Sequence, residues 1–76
     1  MTISVKIFAS LREDLGIDGA NIRPSHKMTA LDVWKHITDK KPPDNLLCAV
    51  NHQYAGFDST VQDGDEIAFF PPVNGG

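Results

Sequence analysis

Apolar and polar positions alternate from the first residues of the chain. Ile3, Val5 and Ile7 fall on one face of an extended segment, with Thr2, Ser4 and Lys6 on the other, the period of a half-buried strand. Phe8 falls with Lys6, on the outer face. From Ala9 to Leu15 the spacing changes: Leu11 and Leu15 stand four apart, which predicts a helical turn or two, and Gly16 supplies the stop. A weaker strand is predicted over 20–23, ended by Pro24. The clearest helix follows. Thr29 is its cap, Asp32 stands where a capping-box acid would, and Met28 and Val33 occupy the two positions of a hydrophobic staple. Ala30, Leu31, Trp34 and Ile37 share one face of it, while Asp32, Lys35, His36 and Asp39 face water. Lys40 and Lys41 suit the negative end of the helix dipole, and Pro42-Pro43 is the predicted stop. The apolar run from Leu46 to Asn51 predicts a buried strand. Residues 51–56 predict a turn into a short piece around Phe57, and residues 60–65 a turn with Asp63-Gly64 at its tip. In the last strand Ile67 and Phe69 alternate with Glu66 and Ala68.

This order of elements predicts an α+β, two-layer domain: a small mixed sheet packed on one main helix, plus a short helix. Trp34 is the largest side chain that the main helix offers the core. With 76 residues there is one domain and a small core, since so short a chain buries only about 60% of its unfolded surface. The domain is expected over 1–72 and a thin tail over 73–76.

After Phe70, Pro71 and Pro72 fix φ near about −65° and remove two backbone donors, so strand pairing stops there. Pro-Pro also favours the extended polyproline conformation, which carries the chain away from the body. Val73, Asn74, Gly75 and Gly76 add a reach of roughly 13 Å. The two terminal glycines can pass a channel too narrow for a side chain. The arrangement points to a chain that presents the carboxyl group of Gly76, although a Gly-Gly end is also what an ordinary frayed terminus looks like. Phe8 and Phe70 both face outward by strand parity. If the first and last strands are neighbours, the two rings form an apolar patch beside the tail, and such patches mark partner surfaces.

Composition narrows the remaining chemistry. The net charge of −3 speaks against a nucleic-acid partner, which calls for a basic patch. No apolar run is long enough to span a membrane, and the opening strand has neither the basic nor the apolar region of a secretion signal. One cysteine, Cys48, cannot form an internal disulfide, so a reducing cytoplasm is the expected location. Cys48 sits in an apolar run, where a thiol acts as a small hydrophobe. His26, His36 and His52 share no metal-ligand spacing. Asp63, Asp65 and Glu66 fit an acidic turn around Gly64 better than a metal cluster. There is no Gly-rich loop followed by Lys-Ser or Lys-Thr to hold ATP. Catalysis by this chain alone is not expected, and a free carboxylate is a poor electrophile until a partner activates it.

The segment Asp63-Gly64-Asp65-Glu66-Ile67-Ala68-Phe69-Phe70-Pro71-Pro72-Val73-Asn74-Gly75-Gly76 closely resembles the C-terminus of the small, sulfur-carrying subunits of molybdopterin synthase. Phe8-Ala9-Ser10-Leu11-Arg12-Glu13 and Ala49-Val50-Asn51 are similar to the same family, and only the stretch between Lys40 and Leu46 is shorter. The resemblance implies a ubiquitin-like β-grasp fold. It implies that an E1-like adenylyltransferase uses ATP to adenylate Gly76, and that a sulfur donor converts the acyl-adenylate to a thiocarboxylate. The large subunit of molybdopterin synthase would then take in the tail and pass the sulfur to cyclic pyranopterin monophosphate. Two small subunits on a dimer of large ones is the implied assembly, with no cofactor bound by this chain itself. Phe8, Phe70, Pro71 and Pro72 match interface positions, and Arg12 matches one that meets an acidic partner surface; as a residue of a short helix, Arg12 is equally well explained as solvated. Related carriers for thiamine synthesis, tRNA thiolation or protein conjugation share the fold and the Gly-Gly end but generally lack the Phe-Phe-Pro-Pro run. An interaction module with an inert tail is the alternative of another class.

Overall fold

In the computed structural model, which describes residues 1–24 and 26–71, the alternation at the N-terminus forms the expected strand. β1 (Ile3–Ile7) buries Ile3, Val5 and Ile7 to 3% exposure or less. α1 (Ser10–Leu15) buries Leu11 and ends at Gly16, whose φ of 74° lets its N–H turn back to the Arg12 carbonyl at 2.9 Å. β2 (Gly19–Ile22) returns antiparallel to β1. A two-residue strand, β3 (Met28–Thr29), leads into α2 (Ala30–Ile37).

The start of α2 is fixed by its own first turn. The Thr29 N–H donates to the Asp32 carboxylate at 3.0 Å, and the Asp32 N–H donates to the Thr29 hydroxyl at 3.2 Å, which closes the capping box. Met28 and Val33, the staple pair, are both buried. Trp34 is 1% exposed and its indole N–H donates to the Lys40 carbonyl at 2.9 Å. The end of α2 differs from the prediction. It stops at Ile37 rather than running to the proline pair, because Thr38 is extended (φ −156°, ψ 152°). The Thr38 hydroxyl then accepts from the Lys40 N–H, and Trp34 takes the Lys40 carbonyl. These side-chain bonds give the backbone an alternative to another helical turn.

The second half adds β4 (Leu47–Val50), β5 (Gln53–Ala55), β6 (Thr60–Val61) and β7 (Glu66–Phe70). Two of these replace predicted turns. Asn51 and His52 both have positive φ (51° and 70°) and form a two-residue hairpin loop, so Gln53–Ala55 pairs with β4 instead of continuing a turn. Thr60–Val61 pairs with β3 and buries Val61 to 1% exposure. The main sheet has the order β2-β1-β7-β4-β5, so the last strand in sequence is the middle strand in space. β7 runs parallel to β1 and antiparallel to β4.

The core lies between this sheet and α2. Ile67 and Phe69 of β7 are fully buried, and the Trp34 and Phe69 rings meet edge to face at 5.2 Å. Phe57 stacks on Phe69 with its ring centroid 6.2 Å away.

The Thr29 backbone N–H, with its hydroxyl, holds the Asp32 carboxyl below its ordinary value of 3.8. A depressed folded-state value means that this carboxyl stabilises the domain fully above pH 3.8 and loses that contribution as pH falls through the folded value. Asp32→Ala is therefore expected to lower the urea midpoint at neutral pH, with the gap to wild type closing in acid. A gap independent of pH would contradict the role given to the capping box.

Candidate functional site

The approach to the C-terminus is built by the middle of the sheet. β7 is hydrogen-bonded on both sides: the register with β1 runs from Ser4↔Glu66 to Ile7↔Phe69, and with β4 from Leu47↔Phe70 to Val50↔Ile67. The Phe8 N–H donates to the Phe69 carbonyl at 3.1 Å, which extends the parallel register by one step and sets Phe8 beside Phe70 on the face away from α2. The first and last strands are thus neighbours, with Phe8 directly after β1 and Phe70 at the end of β7. Phe8 is 47% exposed and Phe70 is half-buried.

Two further residues complete this surface, and neither could be read directly from the sequence. Leu47 is paired directly with Phe70, and the Tyr54 ring lies 5.8 Å from the Phe70 ring while remaining 77% exposed. Leu47 is placed by the pairing of β4 with β7, and Tyr54 by the hairpin at Asn51-His52. The available signal was an Asn at the first loop position, but Asn-His lacks the glycine that marks such turns. Between the larger side chains, Ala49 and Ala68 are paired across β4 and β7 and keep the middle of the face low. A half-buried Pro71 leaves the strand at this edge of the patch. The result is an exposed apolar patch at the end of the central strand.

Arg12 is not part of this group. It is exposed on α1 and lines a separate shallow depression with Glu13, Gly16, Ile17, Asp18 and Gly19. Pro72, Val73, Asn74, Gly75 and Gly76, named above as tail and interface positions, lie outside the described residues.

The remaining polar groups have structural explanations. Asn51 ties the β4–β5 turn to the start of β7: its side-chain oxygen accepts from the Glu66 N–H at 3.0 Å and its amide donates to Asp65 at 3.1 Å. The other Asp65 oxygen accepts from the Gln62 N–H at 2.8 Å, so the acidic stretch is a hydrogen-bonded turn around Gly64, whose φ is 94°. His52 pairs with Glu66 at 2.9 Å. Cys48 is 1% exposed; its thiol donates to the Ala55 carbonyl at 3.2 Å and burial pushes its pKa up, away from the nucleophilic thiolate. Among the described residues no group of three or more His, Cys, Asp or Glu side chains could hold a metal ion. Nor is any of their helices long and apolar enough to cross a membrane.

A mixed five-stranded sheet wrapped on one helix, with the last strand in the middle, defines a ubiquitin-like β-grasp domain. SAMP1 from Haloferax volcanii has this architecture, with a TM-score of 0.79 and 25% identity over the whole of both chains. So does a chain in the complex of subunits 1 and 2 of the molybdopterin-converting factor from Helicobacter pylori 26695, with a TM-score of 0.66 and 20% identity over the whole of both chains. The molybdopterin synthase sulfur carrier subunit of Escherichia coli (strain K12) is 38% identical over 84 residues, covering 97% of this chain and 99% of that one. The ThiS family matches residues 5–76, and this chain belongs to it.

Proposed function

We propose that this chain is the sulfur carrier subunit of molybdopterin synthase, with the carboxyl group of Gly76 as the atom group that carries sulfur. The observation that carries the reading is the near full-length similarity to the Escherichia coli sulfur carrier subunit. The geometry adds support, because the strand leading to the Pro-Pro-Val-Asn-Gly-Gly end is the central strand of the sheet and emerges beside exposed aromatic side chains.

The chemistry starts from what a carboxylate lacks. Its oxygen is a poor leaving group, so an E1-like adenylyltransferase first joins the Gly76 carboxylate to AMP at the expense of ATP, releasing pyrophosphate. A sulfur donor then attacks the acyl carbon and AMP departs; a hydrosulfide donor gives the thiocarboxylate directly, whereas a persulfide donor gives an acyl disulfide that a second thiol reduces to it, forming a disulfide with the donor. Its sulfur is a good nucleophile at neutral pH. In the large subunit it attacks a carbon of the pterin precursor, cyclic pyranopterin monophosphate, displacing an oxygen substituent, and hydrolysis of the resulting thioester leaves the sulfur on the pterin and returns Gly76 to a carboxylate. Gly75 and Gly76 suit a tail that must enter two different active sites, because neither presents a side chain to a narrow channel. Asn74 and Val73 provide reach. This chain binds no cofactor in the scheme; ATP belongs to the adenylating enzyme. The complex of subunits 1 and 2 from Helicobacter pylori supports a large-subunit partner. Phe8, Phe70, Tyr54 and Pro71 form the surface offered to it, with Pro72 next in the chain, and ordering the tail costs ~1–2 kcal/mol per residue, which these contacts must offset. Arg12 stands outside the aromatic group and would meet a separate part of the partner. We place the reaction in the cytoplasm, where a lone reduced cysteine fits.

The similarity to SAMP1, whose name describes a small archaeal modifier protein, supports a second reading in which the activated Gly76 is transferred to an amine of another protein. Deleting Gly76 is expected to leave the melting temperature unchanged and to abolish molybdopterin formation in a reconstituted assay with the large subunit; retained product would refute the assigned site. Protein conjugates in place of product would favour the modifier. Phe70→Ala is expected to weaken binding to the large subunit by ~1 kcal/mol or more, measured by calorimetry, the effect of losing an aromatic hot spot. An unchanged affinity would remove Phe70 from the interface.

A further inference from the structure

The early end of α2 shapes a cavity on the helix side of the domain. Because Thr38 is extended, the helix stops at Ile37 and the residues after it wall off a space beside α1. The space holds about 240 Å³. Leu11 and Leu15, four apart on one face of α1, form one wall; Trp34 is the floor; Lys40, Lys41 and Pro43 form the other wall. The Trp34 ring meets Phe69 edge to face, so the cavity lies behind the end of β7, with the sheet between it and the exposed aromatic side chains.

Lys40 holds this wall with each of its polar groups. Its N–H donates to the Thr38 hydroxyl at 3.1 Å, its carbonyl accepts from the Trp34 indole N–H at 2.9 Å, and its ammonium donates to the Asp14 carbonyl of α1. The last bond ties the loop to α1 across the cavity, so the opening is fixed before anything enters it, which lowers the cost of binding. A backbone carbonyl carries no full charge, and the Lys40 charge therefore persists. Lys41 is exposed and forms no ion pair among the described residues. Lys35 lines the adjoining depression with both of them. Three of the chain's seven Lys and Arg residues thus stand together, and with Asp14 and Asp39 beside them the rim is still positive on a chain of net charge −3.

We propose that this cavity is a docking socket for an acidic segment of a partner protein. The segment seats one apolar side chain against Leu11, Leu15 and Trp34, while its carboxylates meet Lys35, Lys40 and Lys41. The volume falls below the roughly 300–1,000 Å³ of small-molecule sites and suits a single side chain. An apolar anchor in a pocket with a charged rim is the arrangement that concentrates binding energy at protein interfaces. A basic segment would be repelled by the same rim. The socket also lies where the chain departs from its local signal, since the pattern predicts helix up to Pro42-Pro43, and such departures collect at functional sites.

The chain has one tryptophan, so the Trp34 indole N–H gives a single resonance in the ¹H–¹⁵N spectrum of the whole protein. Titration with the peptide acetyl-Glu-Glu-Phe-Glu-Glu-amide is expected to shift that resonance to saturation. The affinity is expected to fall when ionic strength is raised to about 0.5 M, because the paired charges are exposed. Replacing the peptide's Phe by Ala is expected to weaken binding by removing the anchor. Lys41→Glu is expected to weaken binding about fivefold with an unchanged melting temperature, the effect of an exposed charge pair. No saturable shift, wild-type affinity for Lys41→Glu, or an equal response to a peptide with Lys in place of Glu overturns the proposal. So does a shift that follows protein concentration without peptide, which would make the occupant a second copy of this chain. None of these readings involves Gly76 or its thiolation, so failure here leaves the sulfur-carrier reading standing.

Discussion

The parallel pairing of β1 with β7 is the constraint on which the rest of the structure depends. It joins the two ends of the sequence in register from Ser4↔Glu66 to Ile7↔Phe69 and makes the last strand the middle of the sheet. A C-terminal strand at a sheet edge could fray with the residues beyond it. Here β7 is held by β1 on one side and β4 on the other, and Ile67 and Phe69 are sealed under α2. The chain therefore leaves the sheet at Pro71 from a fixed position. Such pairing is non-local and closes a long loop before its contacts form, which makes it a slow step relative to the helix.

The same pairing divides the strand residues between two tasks. Phe69 points inward, where Trp34 and Phe57 pack on it; Phe70 lies on the opposite face, with Leu47 and Tyr54 beside it. One residue of slip would exchange these faces, placing Phe70 in the core and Phe69 outside. The buried face and the exposed aromatic face are thus specified by a single register. The Asn51 side chain reinforces it by bonding both the Glu66 N–H and Asp65, so the β4–β5 hairpin that carries Tyr54 is referenced to the start of β7.

Most of the inner face was legible in the sequence because its signals are local and periodic. Alternation placed Ile3, Val5, Ile7, Ile67 and Phe69, and the Thr29–Asp32 capping box placed the start of α2. Phe8 and Phe70 could be assigned outward by parity, and the Phe-Phe-Pro-Pro run pointed to the family. The features that escaped depended on distant partners. Gln53–Ala55 became a strand only because β4 was there to pair with it, through an Asn-His loop without the usual glycine. Thr60–Val61, expected as part of a turn, pairs with Met28–Thr29, a contact that no window of sequence contains. The end of α2 was misplaced because Thr38 and the Trp34 indole take Lys40 backbone groups that helix statistics would have left to the helix. Tyr54 depends on the hairpin and was missed with it, and Leu47 was missed because its pairing with Phe70 joins two distant strands.

A fixed strand is useful to a carrier only if the residues beyond it can be taken up and modified by others. Intact-mass spectrometry after incubation with ATP, the adenylating enzyme and a sulfur source measures this directly. The mass is expected to increase by the exchange of one terminal oxygen for sulfur, with fragmentation locating the change at Gly76. An unmodified terminus under conditions that thiolate the Escherichia coli subunit would contradict the account.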